Sequence, residues 1–145
     1  MVASCDLAYA SSSAKFATPG VNIGLFCSTP MVAISRNLSN KHSMEMLLTG
    51  ELISSDKAAK IGLINDVIEI NELKDFVLDR ARKISKKSSV TLKIGKEAFY
   101  KQWDMKLSDA YDYASKVMVQ NMLKLDAKEG IDAFIDKREP NWKDK

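Results

Sequence analysis

Side chains that commonly carry proton transfer are scarce in this chain. His42 is its single histidine, and it falls at the start of an expected helix, where an imidazole in the first turn faces solvent. One histidine and two cysteines, Cys5 and Cys27, are too few for an imidazole-rich or thiolate-rich metal site. The cysteines form no CxxC unit and no zinc spacing, and both are expected to be free thiols, buried as small apolar groups. Carboxylate pairs occur at Asp109 with Asp112 and at Glu129 with Asp132, but each sits on an expected helix surface where solvation accounts for it. No GxSxG elbow, P-loop or GxGxxG fingerprint occurs. What remains is the loop Thr18-Pro19-Gly20-Val21-Asn22-Ile23-Gly24-Leu25-Phe26. Its two glycines let backbone approach a ligand closely; a plain strand-to-helix connection would have the same composition.

The elements that must position this loop are those of an ordinary globular chain. There are 145 residues, 46% hydrophobic and 28% charged, which fits one domain with material for a core. With 22 basic and 19 acidic residues, the net charge of +3 is too balanced to argue for nucleic acid. Five basic residues near the C-terminus, Lys128, Lys137, Arg138, Lys143 and Lys145, fit either a solvated helix face or contact with a phosphate-bearing small molecule. No apolar stretch approaches the ~20 residues of a membrane span. The first residues have no basic or long apolar region of a signal peptide and do not look like an Arg-rich transit peptide.

Along the chain, Val2 to Ala10 has the composition of a buried strand, and Ala14 to Ala17 that of a second, short one. Thr18-Pro19-Gly20 is a turn signal. A helix is expected with Thr29 as N-cap and Pro30 in the first position, followed by one over Asn40 to Thr49 with Met44, Leu47 and Leu48 as its apolar stripe and Gly50 just past its end. Ser54 caps a short helix closed by Gly62, and residues 63–68 read as a small strand. Three longer helices follow, the first capped by Asn71. Asp126 and Glu129 have capping-box spacing for a last helix that Pro140 ends. The array is two or three short strands and then helices, an α/β pattern divided into residues 1–70 and a helical region over 71–145.

With these elements placed, the motifs become legible together. Ala3-Ser4-Cys5-Asp6-Leu7-Ala8-Tyr9-Ala10, then Ala14-Lys15-Phe16, Thr18-Pro19 and Gly24, resembles the central strand and active-site loop of the crotonase (enoyl-CoA hydratase/isomerase) family. Met44-Glu45-Met46-Leu47-Leu48-Thr49-Gly50, then Ile53-Ser54-Ser55-Asp56-Lys57-Ala58 and Gly62-Leu63-Ile64, resembles the segment that follows it in that family. Glu129-Gly130-Ile131-Asp132-Ala133-Phe134-Ile135-Asp136-Lys137-Arg138 resembles its tail helix. The motifs run in order over the whole chain.

The resemblance implies the C-terminal part of a crotonase (ClpP/crotonase-like) spiral fold, with an active-site loop on the spiral remnant and a C-terminal helical region for trimerisation. It implies an acyl-CoA ligand, coenzyme A entering as part of the substrate and no separate cofactor. Pro19, Gly20, Gly24 and Phe26 would line the acyl or thioester end of the pocket, while Phe134 and Lys137 would meet the coenzyme A tail. Partners would be copies of the chain, as a trimer or hexamer, or a complementing N-terminal half, with neither nucleic acid nor membrane involved. The compartment would be the cytoplasm, or the mitochondrial matrix in a eukaryote. Two departures matter. The family's oxyanion-hole donors and one of two hydratase glutamates lie on segments upstream of the stretch that matches Val2. The other glutamate's position, directly after the loop proline, is Gly20, which has no proton-transfer group. The expectation is a truncated or split hydratase-like chain of fatty acid metabolism that does not catalyse alone, or else a non-catalytic helical association module.

Overall fold

The computed structural model describes residues 1–144, which form two compact units, Met1–Asp79 and the residues from Arg80 onward. The division falls inside a helix, further along than a boundary between residues 70 and 71.

The first unit holds four short strands among the described residues. These are β1 (Tyr9–Ser11), β2 (Lys15–Phe16), β3 (Ile53–Ser54) and β4 (Asp66–Ile68). β1 and β4 pair in parallel, with Tyr9 opposite Asp66, Ala10 opposite Val67 and Ser11 opposite Ile68. β2 and β3 pair antiparallel, Lys15 opposite Ser54 and Phe16 opposite Ile53. The parallel pair requires a crossover, and three helices supply it: α1 (Ser28–Asn37), α2 (Asn40–Thr49) and α3 (Ser55–Lys60). Ile34, Leu38, Met46, Ala58, Ile61, Leu63 and Ile64 close over Ala10 as the core. Helix α4 (Ile70–Ser85) begins in this unit, where the Phe76 ring meets Tyr9 edge-on at 5.2 Å.

Several expected elements take another form. Residues 2–10 are not one buried strand. Val2–Ser4 is a short 3-10 helix, with the Ser4 amide donating to the Met1 carbonyl at 2.9 Å, and Leu7 is exposed. Only the last part of the apolar run meets β4, so apolar composition without a partner strand did not produce a strand. Cys5 is exposed rather than buried, and Cys27 is half-buried. In α2 the buried residues are Ser43, Met46 and Leu47, while Met44 and Leu48 face outward. Helix α1 starts at Ser28 without a side-chain cap from Thr29, and α4 starts at Ile70, before Asn71.

The second unit is α5 (Ser89–Gln102), α6 (Leu107–Met122) and α7 (Leu125–Ile135). Its buried residues are few: Ala133, with the polar Ser88 and Asp126. Asp126 and Glu129 do not form a capping box. Helix α7 takes Lys124 as N-cap, and the two carboxylates hold the following tail instead.

Candidate functional site

The loop between β2 and α1 is held by contacts with α2 and with Gly50 just past its end. The Thr18 hydroxyl, buried, donates to the Met46 carbonyl at 2.7 Å. Pro19–Ile23 then coils as a 3-10 helix, proline at its start supplying the needed φ, and Gly24 ends it in the left-handed region at φ 78°. The Leu25 amide returns to the Gly20 carbonyl at 2.9 Å, and the Gly20 amide donates to Cys27 Sγ at 3.3 Å. Beneath this coil lies Gly50, at φ 61°, where a Cβ would stand 2.9 Å from Val21 Cγ2. The helix end and the loop therefore lock through Gly50 and one buried hydroxyl.

Beside the loop is a cavity of about 670 Å³. Phe16, Pro19, Ile34, Met46 and Leu63 give it apolar walls, and Lys15, Thr18, Cys27 and Thr29 add polar atoms. It has the size and mixed lining of a small-molecule site. Pro19 stands in its wall; Gly20 backs onto Cys27, which is also in that wall. Gly24 ends the coil and Phe26, 42% exposed, lies beyond it; neither is among the residues that line the cavity. No carboxylate or imidazole is among the residues that line the cavity. His42 lies on α2, where its Nδ1 is 3.6 Å from Glu45. Sequence reasoning missed Cys27 as a member of the loop's wall; its spacing from Gly20 gives no signal until the intervening 3-10 turn is known.

The expected tail-helix residues lie in the second unit. Phe134 is 85% exposed near the C-terminal end of α7. Lys137 follows at φ 54°, its amide donating to the Phe134 carbonyl at 3.3 Å. A second cavity, of about 400 Å³, is lined by Phe134 with Thr91, Asn121, Ile131 and Trp142. Here the tail turns back on α7. The Trp142 ring lies 3.2 Å from where a Cβ on Gly130 would be, and its Nε1 donates to the Lys86 carbonyl at 2.8 Å.

Two carboxylates hold that tail. Asp126 is 1% exposed and accepts the Ser88 hydroxyl together with the amides of Lys143 at 2.7 Å and Asp144 at 3.1 Å. These donors, Ser88 first, hold its carboxyl below the usual range. Glu129 accepts both arms of the Arg138 guanidinium, at 2.7 and 3.1 Å, and the Asn141 amide at 2.7 Å. Arg138 before all else brings Glu129 down to about 2. These carboxylates are thus fully engaged in structure. Among the described residues, no cluster of His, Cys, Asp and Glu could hold a metal ion, and no helix is long and apolar enough to cross a membrane.

Comparison with known proteins agrees with this architecture. The family model described as enoyl-CoA hydratase/isomerase matches residues 1–145. The mitochondrial enoyl-CoA hydratase domain-containing protein 3 of Rattus norvegicus is 49% identical over 142 residues, which are 98% of this chain and 47% of that protein. The human protein of the same name has a solved structure that superimposes with a TM-score of 0.94 at 48% identity, covering 97% of this chain and 56% of its own. An enoyl-CoA hydratase structure from Mycobacterium smegmatis gives 0.94 at 45% identity, over 97% and 55%. The chain spans about half the length of the relatives it matches. Its fold is that of part of a crotonase, and the chain belongs to the enoyl-CoA hydratase/isomerase family.

Proposed function

We propose that this chain forms part of an acyl-CoA site in a hydratase-like protein of fatty acid metabolism, and that by itself it binds rather than hydrates. The cavity beside the loop would receive the acyl or thioester end, with Pro19 in its wall and Gly20, Gly24 and Phe26 on the adjoining loop. Phe134 and Lys137 would meet the coenzyme A tail, an exposed ring for stacking on a base and an ammonium for phosphate. The single observation that supports a non-hydrating role is the lining of that cavity: no carboxylate or imidazole is present to take a proton from water. The test is to give the purified chain a short trans-enoyl-CoA. Heat on titration with no loss of the conjugated enoyl absorbance is the expected result. Steady loss of that absorbance at an enzymatic rate would overturn the reading.

A second reading has its own observation. Leu107, Tyr111, Met118 and Met122 are exposed along α6, as an association module would require. On that reading the chain's partners are further copies of itself, as a trimer or hexamer, or a complementing segment, and light scattering separates the cases.

A further inference from the structure

Gly20 is glycine for a different reason from its neighbours. Gly24, Gly50 and Gly62 occupy the left-handed region, at φ 78°, 61° and 86°. Gly20 is not among the positive-φ residues, so its backbone conformation alone would admit a side chain. Space would not. A Cβ on Gly20 would stand 2.6 Å from the Leu25 carbonyl oxygen, 2.8 Å from Cys27 Sγ and 3.4 Å from the Leu25 carbonyl carbon. The Leu25 carbonyl is not free to retreat, because the same residue's amide is bonded to the Gly20 carbonyl at 2.9 Å. Cys27 Sγ is itself tied to this residue, accepting the Gly20 amide at 3.3 Å. The ring of contacts closes on itself around one α-carbon.

We infer that Cys27 is a positioning residue that, with the Leu25 carbonyl, seals position 20 against any side chain and thereby fixes the cavity as a site without a carboxylate on this loop. Because Cys27 also lines the cavity, the residue that seals position 20 is one a bound ligand would meet. The consequence is specific. Restoring a carboxylate at position 20 cannot by itself give the loop proton-transfer chemistry, since the glutamate stem meets backbone before its carboxylate reaches the cavity. The inference rests on the acyl-CoA reading only for the identity of the ligand; the packing claim stands on its own.

The experiment uses the full chain and five variants: Cys27→Ala, Cys27→Ser, Gly20→Ala, Gly20→Ala with Cys27→Ala, and Gly20→Glu. Four readouts apply: thermal unfolding, the amide resonance of Gly20, acyl-CoA binding by calorimetry, and enoyl-CoA turnover. Gly20→Ala is expected to lower the unfolding midpoint on the order of 5 °C, as overpacking does. Adding Cys27→Ala should recover part of that loss, a coupling that independent sites would not show. Cys27→Ala should shift the Gly20 amide resonance, and Cys27→Ser, whose hydroxyl can also accept, should largely restore it. Gly20→Glu should show no hydration. A Gly20→Ala variant as stable as the parent, additive effects of the two substitutions, an unmoved Gly20 resonance, or hydration by Gly20→Glu would each overturn the inference. Failure of the parent chain to bind acyl-CoA while the coupling persists would overturn the proposed ligand and leave the sealed position intact.

Discussion

Thr18 shows how much of the loop depends on single atoms. Its hydroxyl is buried against α2 and donates to the Met46 carbonyl, which also accepts the Gly50 amide at 3.2 Å. Thr18→Val keeps the shape and removes one bond, so the expected loss is about 1 kcal/mol, read as a lower unfolding midpoint that Thr18→Ser restores. Gly50→Ala should cost more than about 1 kcal/mol, since left-handed strain adds to the clash with Val21. Gly62→Ala is the control: it carries the same kind of strain at φ 86° but faces open space. If chemical denaturation ranks Gly62→Ala as more harmful than Gly50→Ala, the claimed lock between loop and helix end is wrong. At this scale the sequence was unevenly legible. Gly50 announces itself because it follows a helical run and stops it. Gly20 does not, because the atoms that enforce it, a carbonyl and a thiol, are brought near only by a 3-10 turn that the sequence reading took for an irregular loop.

Elements follow the same division between local and remote causes. Helices α2 and α3 lie where apolar periodicity and the Ser54 cap put them, and α5 and α6 fall among the expected longer helices. Ser39, Ser54 and Ser88 each accept an amide of the first turn. One of the misread elements is the start of α7, where Asp126 and Glu129 at capping spacing hold the tail that follows the helix. That tail makes stability depend on pH. Glu129 lies at about 2 in the folded chain, below the ordinary glutamate value near ~4.3 in an unfolded one. A depressed folded value contributes stability above the unfolded value, and this is lost as pH falls from there toward 2. Asp126, lowered as well, acts in the same direction. In a Trp103→Phe background, Trp142 fluorescence and the unfolding midpoint should both change over this acid range. Glu129→Gln should flatten that part of the profile. An unchanged profile in Glu129→Gln would assign the acid sensitivity elsewhere.

For the molecule as a whole, the family was readable because three motif blocks keep their order and spacing over the full length. The parallel pairing of Tyr9–Ser11 with Asp66–Ile68 was not, because nothing local to either segment names its partner. Exposed surface was legible only in part. Leu107, Tyr111, Met118 and Met122 lie on α6 at spacings that share one face, and an apolar face is normally a buried one. In the structure these residues stay between 54% and 75% exposed. Within the second unit, Ala133 is the one buried hydrophobic among the described residues, so the unit covers little of its own apolar surface. Such a face favours association, at roughly 1.5–3 kcal/mol for each large side chain fully removed from water. Light scattering on a dilution series should therefore show a mass that falls with concentration. Met118→Lys with Met122→Lys should weaken association by at least about tenfold, a conservative share of what two buried methionines contribute. The far-ultraviolet circular dichroism should be kept, because both positions already face outward and lysine is a good helix former. A chain that stays monomeric throughout the series, or a double variant that associates as its parent does, would overturn the reading of this face as an association surface.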